Sequence, residues 1–182
     1  MVTRWVFTGL VALLALQRIY ELRLSGRHEA VIRSQGGREH AAWQVGAMKA
    51  LHASWFIAML VEVHGLHRSF LPGLSLLALV TLLAGQSLRY AAIRSLGWRW
   101  TVNVMTLPGL PLVRNGIYRY LRHPNYLGVV LEILAVPLLH SAYVTAFVFS
   151  LANMILLSAR IRAEDCALRE VVSGPAVFHQ NT

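Results

Sequence analysis

Residues 116–161 read GIYRYLRHPNYLGVVLEILAVPLLHSAYVTAFVFSLANMILLSARI. Two apolar runs, 126–139 and 142–161, are separated only by His140 and Ser141, which leaves room for a turn between two helices and nothing more. The second run is long enough to cross roughly 30 Å of hydrocarbon and the first nearly so, so the pair should form a tight helical hairpin with a short or tilted first arm. Pro124 suits the first turn of that arm, where its missing N–H would have no partner. The helix N-terminus then presents free N–H groups and partial positive charge beside Arg122 and His123, a seat for a carboxylate or phosphate. Interfacial anchoring by Arg and Tyr is the plainer reading of the same residues.

Three further apolar windows lie upstream, at Val2–Leu22, Val45–His64 and Phe70–Ile93. With Tyr126–Leu139 and Ala142–Ile161 they predict an all-α integral membrane protein of about five transmembrane helices. Composition agrees: 56% of the 182 residues are hydrophobic and 14% charged, and the mean hydropathy is +0.52, too apolar for a water-soluble domain of this length. With no linker, repeat or low-complexity tract to divide it, the chain should be a single domain over 1–182. Residues 1–95 would form a three-helix part, and 96–170 a structured loop and the hairpin.

The formal net charge is +9, and nearly all the basic residues are arginine. They fall at the ends of apolar runs, where the positive-inside bias and anionic headgroups account for them, and no basic face with interleaved aromatics suggests nucleic acid. Arg23, Arg27, Arg33 and Arg38 lie in the first connection and Arg94, Arg99, Arg114, Arg119 and Arg122 in the third, against Arg68 alone in the second. Connections one and three and the tail after Arg160 should therefore face the cytoplasm, with the N-terminus outside an inner membrane. Cys166 is the only cysteine, so one chain can build neither a disulfide nor a Cys-based metal site. The apolar N-terminus lacks a small-residue cleavage site and reads as a retained anchor.

Between the third and fourth runs lies the connection 96–121, the longest in the chain. The segment from Trp98 to Val104 should pair as a strand with the stretch around Leu112 and Val113, across a Pro/Gly turn at 107–111. Structured loops of this size in small proteins are more often functional than idle. Arg160 and Glu164, four apart, share a helix face at the cytoplasmic end of the last run. As a surface ion pair they would contribute about 0–1 kcal/mol. The hairpin instead brings them back to the level of His123 and Tyr126.

The pattern Gly116-Ile117-Tyr118-Arg119-Tyr120-Leu121-Arg122-His123-Pro124-Asn125-Tyr126-Leu127-Gly128, followed by a hairpin and then Arg160-Ile161-Arg162-Ala163-Glu164-Asp165, resembles the isoprenylcysteine carboxyl methyltransferase family. The likeness is carried by motifs over residues 103–168 and by topology alone over the first three helices. Within the family it is most similar to compact bacterial enzymes that methylate alkylpyrones or alkylresorcinols. The resemblance implies S-adenosylmethionine as cofactor, held by Asn103, Leu110, Pro111, Leu112, Val113, Tyr118, His123, Pro124, Asn125, Tyr126 and Glu164. It also implies that Arg160 faces a lipidic methyl acceptor, so that Arg160 and Glu164 carry the catalytic roles. Asn103 stands where the family often has glutamine, and Glu164-Asp165 where it commonly has two glutamates. The chain after Leu168 is shorter than a long cytoplasmic extension would be.

Such chemistry needs an oxygen nucleophile held in line with a sulfonium methyl, so positioning supplies much of the acceleration. Arg160 would favour the ionised form of a phenolic or enolic hydroxyl. No Gly-x-Gly-x-x-Gly follows a strand, as a soluble nucleotide-binding fold would require. Glu132, inside the fourth run, calls for a partner such as an arginine of the third helix, or a role in proton removal. His52 and Glu62 read as hydrogen-bonding groups of the bundle, and the scattered His64, His67 and His140 do not have the spacing of a metal site. Carboxyl methylation of an isoprenylcysteine-like substrate, a nicotinamide-dependent membrane reductase and a non-catalytic transporter or assembly subunit remain as alternatives.

Overall fold

A computed structural model of the chain describes residues 1–173. The order is α1 (Val2–Ser34), β1 (Arg38–His40), α2 (Trp43–Gly65), α3 (Pro72–Leu96), a 3-10 turn at Gly97–Arg99, β2 (Val104–Thr106), a second 3-10 turn at Gly116–Arg119, α4 (Pro124–Leu138) and α5 (Tyr143–Ser173). Four helices, α1, α2, α3 and α5, are long and apolar enough to cross a membrane. The fourth apolar run is not. It yields a helix of 15 residues, about 22 Å at 1.5 Å per residue, against roughly 30 Å of hydrocarbon. Pro124 opens α4, and a turn through Ser141, whose φ is 56°, closes it.

The surface is inverted relative to a water-soluble protein. Leu13, Leu16, Ile57, Val61, Leu76, Leu77, Phe147 and Ile155 are 63–73% exposed, while Glu21, Glu62, Arg89, Glu132 and Arg160 are buried. Apolar side chains facing lipid and ionised groups facing one another is the arrangement a bilayer demands, because an unpaired charge in hydrocarbon is costly. The chain is accordingly a multi-pass membrane protein.

Short α4 is held by a close crossing with α3. A Cβ added to Gly128 would lie 2.8 Å from the Gly85 carbonyl oxygen, and one added to Gly85 would lie 3.0 Å from that of Gly128. Small residues let the two backbones approach. One turn further along each helix, Arg89 and Glu132 meet, Nε to Oε1 at 3.2 Å. This is the partner expected for Glu132. A second, Arg18 of α1, joins it, and both arginines also bind Glu21. Glu62 of α2 is a cap: its carboxylate accepts the N–H groups of Val144 (3.2 Å) and Thr145 (2.7 Å) at the start of α5 and pairs with Arg68 (2.7 Å), which satisfies donors that the first helical turn cannot.

One expectation fails in the third connection. β2 does not pair with the stretch around Leu112 and Val113; it pairs antiparallel with β1 of the first connection, Arg38 opposite Thr106 and His40 opposite Val104. Alternation within 98–113 carried no information about a partner some seventy residues upstream. α1 and α5 run on past the apolar windows as polar helices, to Ser34 and Ser173, and the second continuation keeps Arg160 and Glu164 on one helix, as expected. Of the tail expected in the cytoplasm, residues 174–182 lie outside the described residues.

Candidate functional site

The continuation of α1 has a purpose in the fold, because it grips the third connection. Ser25, 1% exposed, accepts the Val102 N–H at 2.7 Å and donates to Glu29 at 2.6 Å. Glu29 also accepts from the Asn103 amide at 2.7 Å, and the His28 ring donates to the Trp100 carbonyl at 2.7 Å. Arg99 ties the Pro/Gly turn back through the Pro111 carbonyl, 2.8 Å away. The loop is thus fixed at both ends.

Against it stands the start of α4 and the far end of α5. Arg160 donates through Nη2 to the Val102 carbonyl and through Nε to the Tyr126 hydroxyl at 3.0 Å. The Tyr126 hydroxyl in turn donates to Glu164. The Arg160 guanidinium also lies 5.7 Å from the centroid of the Tyr126 ring, and the His123 ring stacks on that of Tyr126 at 5.5 Å and 15°. Arg160 and Glu164, expected to share a helix face, are therefore linked through Tyr126. Asp165 points elsewhere: it pairs with Arg122 at 2.8 Å and lies 3.6 Å from His123 Nε2.

Two cavities open on this junction. The larger, about 650 Å³, is walled by the third connection and α5; the smaller, about 360 Å³, runs between α1, α2, α3 and α4. Tyr118, Arg122, His123, Tyr126, Arg160 and Glu164 line both. The larger holds the expected Asn103, Leu110, Pro111, Leu112 and Val113 as well. Asn125 lines only the smaller cavity, and Pro124 lines neither, being buried in the first turn of α4. His52, read as a hydrogen-bonding group of the bundle, lines the smaller cavity, and so do Arg18, Glu21, Lys49 and Arg89, which were not expected at a site; their spacing along separate apolar helices gives no sign that they converge.

The electrostatics are asymmetric. Among the described residues no carboxylate lies within ion-pair distance of Arg160, and its Nη1 is buried without a hydrogen-bond partner, as are His123 Nε2 and Asn125 Oδ1. Buried polar atoms in folded proteins are nearly always paired; His123 Nε2 has the Asp165 carboxylate 3.6 Å away, while Arg160 Nη1 and Asn125 Oδ1 have no hydrogen-bond partner among the described residues. Burial, with Glu164 beside it, pushes the Tyr118 hydroxyl up, so this residue stays a protonated donor at neutral pH.

The bundle thus carries two adjoining cavities that share the Tyr126, Arg160 and Glu164 side chains. The chain belongs to the isoprenylcysteine carboxyl methyltransferase (ICMT) family, whose model matches residues 76–170. It is 38% identical to the uncharacterized protein YpbQ of Bacillus subtilis over 168 residues, 91% of this chain and 98% of that protein. An uncharacterized protein of Haemophilus influenzae is 28% identical over 152 residues, 83% of this chain and 88% of its own length. The protein-S-isoprenylcysteine O-methyltransferase of Schizosaccharomyces pombe is 34% identical over 93 residues, 50% of this chain and 39% of that protein. Enzymes of the family generally use S-adenosylmethionine, and their place in the membrane implies a lipid-associated acceptor. The chain is a membrane methyltransferase of this family.

Proposed function

We propose that the protein transfers the methyl group of S-adenosylmethionine to a ring hydroxyl of a long-chain lipid of the alkylpyrone or alkylresorcinol type, in the inner membrane. The observation that carries this reading is the meeting of the two cavities at Tyr126, Arg160 and Glu164. The larger is assigned to the cofactor, entering from the cytoplasm, and its size suits a ligand of that class. Its residues fit the group chemically. Glu164 and the faces of Tyr118, Tyr126 and His123 suit cationic centres, and the apolar run at 110–113 suits a flat heterocycle. When bound, the cofactor supplies an electrophilic methyl group.

The smaller cavity is assigned to the acceptor. Ile19 and Leu22 line it and are also 48% and 36% exposed toward lipid, so a chain can leave sideways into the bilayer. Arg160, which lines this cavity, lowers the pKa of an acidic hydroxyl and holds the anion. Tyr126 keeps the guanidinium plane fixed through Nε, so orientation is set before the acceptor arrives. The N-terminus lies outside and the third connection in the cytoplasm, following the arginine asymmetry.

The similarity to the fission-yeast enzyme favours a second reading, carboxyl methylation of an isoprenylcysteine. Purified protein given methyl-labelled S-adenosylmethionine with an alkylresorcinol, an alkylpyrone and a farnesylcysteine analogue decides between them. Label in the ring ethers supports the proposal, and label confined to the farnesylcysteine ester overturns it.

A further inference from the structure

Two hydrogen bonds fix the plane of the Arg160 guanidinium, and they come from different parts of the chain. Nε donates to the Tyr126 hydroxyl at the start of α4, and Nη2 donates to the Val102 carbonyl. A planar guanidinium held at one nitrogen still swings about that bond; held at two, it does not. Tyr126 belongs to a helix and is placed by it. Val102 has no such support. Residues 100–103, between the first 3-10 turn and β2, form neither helix nor strand, so the position of the Val102 carbonyl depends on what else grips that stretch.

The grip comes from one face of α1. Ser25, His28 and Glu29 stand at i, i+3 and i+4, and they take the Val102 N–H, the Trp100 carbonyl and the Asn103 amide in turn. Ser25 and Arg160 therefore hold the same residue, one by its N–H and the other by its carbonyl. The serine hydroxyl has a single hydrogen, and Glu29 takes it at 2.6 Å, which leaves the oxygen's lone pairs for the Val102 N–H. Ser25 is 1% exposed and Arg160 3%. The brace lies outside the stretch 76–170 that matches the family model.

We propose that Ser25, oriented by Glu29, is a positioning residue for methyl transfer: by fixing Val102 it fixes the plane in which Arg160 meets the acceptor oxygen. The inference rests on Arg160 serving the acceptor. Ser25 and Glu29 line neither cavity, so they act only through Val102 and Asn103. Asn103 keeps its bond to Glu29 when the Ser25 hydroxyl is removed, and the wall of the larger cavity is retained. The effect is selective. Loss of that hydroxyl loosens Arg160 and weakens its hold on an oxyanion, while the cofactor's chamber stays as it was. A serine with a structural role alone would change the yield of folded protein and neither property of the folded fraction.

The test uses a para-nitrophenol carrying a long alkyl chain, whose phenolate is coloured and whose phenol is not, bound to the full chain in nanodiscs and titrated by absorbance. Wild type should lower the pKa of the bound probe relative to probe in empty nanodiscs, and Arg160→Gln should erase that lowering. Ser25→Ala should raise the bound pKa by about one, an anion held about tenfold less tightly. Glu29→Gln should raise it by less, since a carboxamide keeps one of the two acceptor oxygens, and Ser25→Thr, which keeps the hydroxyl, should give the wild-type value. S-adenosylmethionine affinity in Ser25→Ala, by calorimetry, should stay within about twofold of wild type. A bound pKa raised in Arg160→Gln and unchanged in Ser25→Ala overturns the inference and leaves the role of Arg160 standing, and so does a cofactor affinity that collapses in Ser25→Ala. A probe that does not bind, or a pKa that Arg160→Gln does not move, overturns both. Methylation is read separately in the same preparations: the predicted shifts without any transfer would uphold the brace and defeat the proposed reaction.

Discussion

The Tyr126 hydroxyl donates to the Glu164 carboxylate across the interface of α4 and α5, and this bond joins the two ends of the hairpin into one site. Removing it with Tyr126→Phe leaves Glu164 and the Arg160 Nε–H without their shared partner. The cost of unpairing a buried group is about 1–3 kcal/mol, so methyl transfer should fall by about ten- to a hundredfold. Steady-state kinetics in nanodiscs check this; a variant within twofold of wild type would show that the bond is incidental.

Glu164→Ala and His123→Ala are predicted each to abolish measurable S-adenosylmethionine binding in calorimetry while the protein stays helical and monodisperse. Both residues line the larger cavity, although they are far apart in sequence. Wild-type affinity in both variants would show that the cavity holds something else.

The α3–α4 crossing gives a prediction about stability alone. Gly128→Ala puts a methyl group 2.8 Å from the Gly85 carbonyl oxygen and 2.5 Å from the Arg89 side chain, so a backbone has to move. Overpacking of this kind costs about 1–3 kcal/mol, seen as a lower melting temperature. Gly73→Ala, where nothing lies within 4 Å, is the control and should not destabilise.

At the opposite end from the site, His140 is packed between Phe7 and Phe70, with ring centroids 5.7 and 5.8 Å away. Burial, with Arg4, His64 and the amino terminus nearby, pushes its pKa below the usual 6.5. The unfolded chain therefore binds the proton first as pH falls. His140 contributes fully above about pH 6.5, and that contribution is lost as pH drops from there through its lowered pKa. Melting temperature should decline over that range in wild type and more gently in His140→Leu; parallel curves would contradict the assignment.

The proposed topology rests on the arginine asymmetry. Gly109→Cys in a Cys166→Ser background should be labelled by an impermeant reagent only after the cytoplasmic face is opened. Labelling from the outside in intact cells would reverse both the orientation and the route proposed for the cofactor.

The convergence of Arg160, Glu164, His123 and Tyr126 was legible in the sequence because a two-residue turn between apolar runs fixes which ends of two helices meet. Glu132 and its α3 arginine were legible for a different reason: an acid in hydrocarbon needs a base, and α3 carries one at the right depth. What the sequence hid is contact at long range. Ser25 and Glu29 look like ordinary polar residues beyond a membrane span, yet they hold Val102 and Asn103, and β2 finds its partner in the first connection. The meeting of Arg18 and Lys49 at the smaller cavity was equally hidden, because they sit on separate helices and no local pattern reports that α1 and α2 face the same space.

The central claim is that Arg160 serves the acceptor and not the cofactor. Arg160→Lys keeps the charge and loses the planar guanidinium that Tyr126 and the Val102 carbonyl hold in place through Nε and Nη2. Single-turnover transfer of labelled methyl to an alkylresorcinol, measured beside S-adenosylmethionine affinity in the same preparation, separates the two roles. The account predicts an affinity within about twofold of wild type and a transfer rate lower by about a hundredfold, a loss of the size expected when one preorganised donor to a reacting oxygen is removed. An unchanged rate, or an affinity that collapses together with the rate, would contradict it.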